Sequence, residues 1–125
     1  MCLVFDGMSI VRLGLVEGRH EITSNDGEKV TQFIFPNQIN DPNDFTTMER
    51  HCFNFIEGVF INERESEDMV LTIEIYVTGL TQALTSTLVA MKKAISEWDA
   101  WQTTIVYLMH FNRDTGGYEK QVWPH

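Results

Sequence analysis

The sequence predicts an α+β fold in two layers: a mixed, mostly antiparallel sheet with two helices packed on one face. Three observations predict it. Residues 69–78 alternate Met69, Leu71, Ile73, Ile75 and Val77 with Val70, Thr72, Glu74, Tyr76 and Thr78, the period of a strand. Residues 81–98 set Leu84, Leu88, Met91, Ile95 and Trp98 at helical spacing. Residues 103–111, TTIVYLMHF, are apolar or branched on both faces, as an interior strand requires. A strand, a helix and a strand in about forty residues make a right-handed crossover, so these two strands are expected to run parallel.

The first third reads as antiparallel β. Residues 2–5 and 8–16 are short strands, the second with Val11, Leu13 and Leu15 on one face and Arg12 and Gly14 on the other. Residues 20–24 and 29–35 flank Asn25, Asp26 and Gly27, whose tolerance of positive φ predicts a hairpin turn. Pro36 ends that strand, and PNQINDPND is a loop approaching a helix. The helix is expected to start near Asn43, with Asn43 or Asp44 as N-cap and Phe45, Met48, Cys52, Phe55, Ile56 and Val59 inward. Gly58 is its expected end. Residues 62–68, NERESED, hold four acidic residues and no large apolar group, so they read as exposed loop. The second helix turns Gln82, Lys92, Lys93 and Glu97 outward. After the interior strand, NRDTGGY reverses the chain and residues 118–123 return as its hairpin partner.

A chain of 125 residues with 43% hydrophobic content suits one domain covering residues 1–125. Cys2 and Cys52 lack the C-x-x-C spacing of metal or redox motifs, and no apolar run approaches the roughly 20 residues that cross a bilayer. A reducing cytoplasm and no membrane role are expected. Net charge is −9, and its placement is uneven: thirteen acidic against five basic residues up to Asp68, then five against four. Lys and Arg neutralise phosphates, so this balance argues against binding nucleic-acid backbones and favours a basic protein.

Where parallel strands are present, ligands gather beyond a strand's carboxyl end, where the next helix's N–H groups attract anions. Thr78, Gly79, Leu80 and Thr81 hold that position. The same four residues also make an ordinary turn with a threonine N-cap, and the turn is preferred because no G-x-G-x-x-G or P-loop motif accompanies the single glycine. His110 approaches the same sheet edge, and with Glu74 and Tyr76 it forms a trio suited to acid–base chemistry if the three share a face. His51 and Cys52 are neighbours on a helix, so their side chains diverge, and Cys52 reads as core. The histidines show no metal-ligand spacing, so neither a metal nor a cofactor is expected.

Trp98, Trp101 and Trp123 gather around the end of the second helix and the last strand, supplying core and interface anchors, and a homodimer through the sheet or its edge is expected. The functional expectation is a small acidic, non-catalytic binding protein that recognises a basic protein, as inhibitors and immunity proteins do, and associates with itself. The alternative is a small-molecule or nucleotide-binding protein, or a metal-independent phosphodiesterase, using the turn at Thr78 to Thr81.

Overall fold

The computed structural model describes residues 2–5, 8–18, 20–63 and 70–125. The elements follow as β1 (Cys2–Phe5), β2 (Met8–Val16), β3 (Phe33–Phe35), α1 (Phe45–Glu63), β4 (Val70–Tyr76), α2 (Thr81–Glu97), β5 (Thr104–Asn112) and β6 (Gly117–Trp123). This is the expected α+β arrangement, one mixed sheet with both helices against it. Met69, expected to open β4, and most of the expected acidic loop lie outside the described residues; Asn62 and Glu63 of that loop belong to α1.

The strands lie in the order β1-β2-β4-β5-β6, with β3 also on β2. The expected parallel pair β4 and β5 is present, and β2 runs parallel beside them, so Arg12, Glu74 and Tyr107 fall in one row across the sheet. Among the strands named here, antiparallel pairing is confined to β1 with β2 and β5 with β6, a smaller share than expected.

The first third corrects the expectation of a purely antiparallel region. The turn at Asn25 to Gly27 forms, with Gly27 at φ 89° and the Ser24 N–H donating to the Glu28 carbonyl at 2.8 Å. Only one antiparallel bridge, Thr23 to Lys29, accompanies it. The chain leaving β2 crosses the second face of the sheet before returning, so β3 comes in parallel to β2, with Gly14 opposite Phe33 and Val16 opposite Phe35.

The links β3-α1-β4 and β4-α2-β5 step across the sheet in the same direction, and crossovers of one hand then place both helices on one face. Leu13, Leu15, Ile73, Ile75, Val106 and Leu108 meet Cys52, Ile56, Phe60, Met91 and Ala94 in one buried cluster there. Asp44 caps α1, its carboxylate accepting from the Thr47 N–H at 3.2 Å and the Thr47 hydroxyl at 2.8 Å. The helix runs through Gly58 to Glu63 because burial of Val59 and Phe60 outweighs the roughly 1 kcal/mol that an interior glycine costs. Phe45, expected inward, is half exposed.

The inward stripe of α2 is rotated from the one expected. Ala83, Thr87, Ala90, Met91, Ala94 and Ile95 are buried, Leu84 and Leu88 pack at the margin, and Trp98 is exposed with its edge on Phe60. Small residues at helical spacing let α1 approach closely, and that contact takes precedence over burying the larger leucines.

Alternation along the strands sends Arg12, Glu74, Tyr76, Tyr107 and Met109 to the sheet's second face. Residues 20–30 lie across part of it as a strap, with Ile22 and Val30 packing on Tyr76, Met109 and Tyr118. The strap covers part of that face and leaves Ile105, Phe111 and Val122 exposed.

Candidate functional site

The turn after β4 is placed where the sequence put it. Gly79 has φ 79°, a conformation that favours glycine. Thr78 is buried, its hydroxyl aimed at the Val16 carbonyl at 3.5 Å, and Thr81 is exposed. The expected threonine cap is absent: Leu80 is the N-cap of α2 and makes no side-chain hydrogen bond to it, while its own side chain packs against the core.

The trio of Glu74, Tyr76 and His110 is divided by the sheet. Glu74 lies opposite Tyr107, so on β5 the odd positions share its face and His110 points to the helix side with Val106 and Leu108. There His110 Nε2 donates to Gln121 Oε1 at 2.7 Å. Glu74 and Tyr76 do meet, the tyrosine hydroxyl donating to Glu74 Oε1 at 2.9 Å. Their real third member is Arg12, whose Nε donates to the same oxygen at 3.0 Å.

Arg12 organises the second face. Its guanidinium also reaches Asp26 at 3.0 Å and Glu28 at 3.3 Å, both on the strap, while Lys120 lies 4.0 Å from Glu74. Burial works to lower the Arg12 pKa, but the hydrogen bond and charge of Glu74, with Asp26 behind them, raise it overall. Burial first, then the bond to Glu74 and its charge, push the Tyr76 hydroxyl well above the ordinary tyrosine range. Tyr76 is therefore a proton holder, and the group is a clamp that fixes the strap.

Concave surface occurs at the carboxyl end of β3. A cleft of about 350 Å³ lies between Phe35 and the first turns of α1, lined by Ile39, Asp41, Asp44, Met48 and His51 among others. A second, of about 450 Å³, is lined by Glu17, His20, Glu21, Ile22, Lys29 and Phe33. Among the described residues, the only lysine or arginine lining either is Lys29, already 3.7 Å from Glu21. His51 stacks on Phe35 and donates from Nε2 to the Ile34 carbonyl at 2.6 Å. Since a carbonyl can only accept, His51 presents an Nε2–H to it, and Asp41 and Asp44 bring carboxylate oxygens to the lining. The first cleft thus offers acceptors above an apolar floor, which suits an ammonium or guanidinium on an aliphatic stem.

Sequence reasoning did not single out Asp41, Asp44 and His51 as a group. The density of Asn, Asp and Pro before α1 was the available signal, but only folding brings Phe35 and Met48 beneath those side chains. Cys52 faces away from His51 into the core, where burial pushes its thiol up to about 11, the Thr87 hydroxyl beside it opposing in part. Among the described residues no group of three or more His, Cys, Asp or Glu could hold a metal ion, and no helix is long and apolar enough to cross a membrane. Comparisons with protein-family models, with curated proteins and with solved structures find no match for this chain.

Proposed function

We propose that the chain is a small acidic binding protein, without catalytic activity of its own, that recognises a basic protein partner in the cytoplasm as an inhibitor or immunity protein would. Self-association belongs to the same reading. One observation carries it: among the described residues, the two depressions beside β3 present four carboxylates, Glu17, Glu21, Asp41 and Asp44, against the single cation Lys29. A partner's lysine or arginine fits the first cleft with its stem on Phe35, Ile39 and Met48 and its charge near Asp41.

The test is a binding array of Lys/Arg-rich peptides with charge-reversed controls, read at low and at physiological salt. Binding confined to basic sequences, weakened by salt and lost in an Asp41→Asn, Glu17→Gln, Glu21→Gln variant is expected. Equal binding by that variant, or none to any basic sequence, defeats the proposal.

A second reading has its own observation: α2 begins without a side-chain cap beside Gly79, at the carboxyl end of β4. That arrangement suits the phosphate of a nucleotide. Thermal shift with nucleotides tests it, since a ligand in excess of its dissociation constant must raise native stability.

A further inference from the structure

We propose that β6 is a self-pairing edge: two copies of this chain join their β6 strands antiparallel, Lys120 of each opposite Val122 of the other, about a two-fold axis at Gln121. This rests on the self-association in the reading above and is independent of the basic partner. The two surfaces are also separate, because β6 ends the strand row on the side away from β3.

The backbone sets the register. Tyr118 accepts the Asn25 side-chain N–H at its carbonyl, 2.9 Å, and donates its own N–H to Asn25 Oδ1 at 2.8 Å. Both backbone groups of Tyr118 therefore point away from β5, and the Asn25 carboxamide stands where a neighbouring strand would be. Hydrogen-bonding direction alternates along an antiparallel strand, so the N–H and C=O groups of Lys120 and Val122 point outward too. Among the described residues no strand lies beyond β6 to receive them.

The usual guard of such an edge is a charged side chain projecting over it. Lys120, though half exposed, leans back over the sheet instead, its ammonium 4.4 Å from the centre of the Tyr107 ring and 4.0 Å from Glu74. Val122 next to it is 61% exposed.

A second copy answers these features better than a foreign segment because its strand is already ordered and carries the complementary pair of outward residues. Antiparallel pairing around a two-fold axis keeps each side chain on its own face, so only residues of equal parity can lie opposite. An axis at Lys120 sets the two lysines against each other and turns the outward groups of Val122 toward Tyr118, which Asn25 occupies. An axis at Glu119 opposes two carboxylates and again directs Lys120 to Tyr118. An axis at Val122 leaves Lys120 facing Pro124, which has no N–H. Placing it at Gln121 satisfies Lys120 and Val122 together, with a neutral residue meeting its own copy and no like charges directly opposed.

Sedimentation velocity up to millimolar concentration should show a reversible dimer that strengthens with salt, because screening relieves repulsion between two chains of charge −9. Binding of a basic partner must weaken with salt, so the two proposals fail separately. Val122→Pro removes only an outward N–H and should weaken the dimer about thirtyfold, two hydrogen bonds being lost per pair, with circular dichroism unchanged. Should that variant fail to fold, Gln121→Cys in a Cys2→Ser background decides. Residues at the axis form a close non-hydrogen-bonded pair, so mild oxidation should join Gln121→Cys chains rapidly and Lys120→Cys chains slowly. A chain monomeric at every concentration, or a dimer cross-linked as readily through residue 120 as through 121, overturns the proposal.

Discussion

Replacing Arg12 by methionine keeps the aliphatic stem and deletes the charge that holds Glu74. The Glu74 side chain is 9% exposed, and removing one partner of a buried ion pair costs about 3–5 kcal/mol. Two groups soften the loss: the Tyr76 hydroxyl still donates at 2.9 Å, and Lys120 stands 4.0 Å away. The lower end, about 3 kcal/mol, is therefore expected. The strap carboxylates are exposed enough for water to screen them and are left out of this figure. Urea unfolding of the parent, Arg12→Met, Glu74→Gln and the double variant closes a thermodynamic cycle. The double variant should be more stable than Arg12→Met by about 1–2 kcal/mol, because a neutral amide needs no counter-charge. If Arg12→Met costs under about 1 kcal/mol, the pair behaves as a surface salt bridge and the clamp argument fails.

Three further outcomes follow from single sites. Gly14→Ala would place its Cβ 2.3 Å from the Phe33 ring, so a loss of about 1–3 kcal/mol in urea unfolding is expected, with partial rescue by Phe33→Leu; a neutral Gly14→Ala would show that β3 shifts freely. With its thiol pushed up to about 11, mainly by burial, Cys52 should stay neutral and resist alkylation in the native state, and its contribution to stability should be lost as pH rises toward that value. Labelling of Cys52 in native protein at the rate of an exposed thiol contradicts this. Asp26 is held below the ordinary carboxylate range, first by the Ser24 hydroxyl and, against some desolvation, by the Glu28 N–H and Arg12. A lowered folded pKa stabilises above the unfolded value and fails as pH falls through the folded one, so acid should speed hydrogen exchange at the Ser24 and Val30 amides, and Asp26→Asn should flatten that dependence.

The strands and helices were legible because their signals are local. Alternation marked β2 and β4, an apolar run on both faces marked β5, and the spacing of Met48, Cys52, Ile56 and Val59 marked the buried face of α1. Gly58 misled, since the cost of one glycine is local whereas the burial that overrides it comes from the rest of the fold. The direction of β3 could not be read from its own residues, because it depends on where residues 17–32 travel. Arg12 and Glu74 stood on the correct faces of their strands in the sequence, sixty-two residues apart. Only the register that sets β2 beside β4 turns them into a pair. His110 shows the reverse: its strand was correct but its face was left open, and the register that sets Glu74 opposite Tyr107 puts it on the other side.

The Asn25 to Tyr118 contact spans 93 positions of chain. During synthesis, then, Asn25 has no partner until Tyr118 has left the ribosome, and the strap is held by Arg12 without that contact while the helical layer can already close. A nascent chain stalled before residue 118 should offer the strap to proteases more readily than one that includes β6, which makes the strap's protection a report on that hairpin.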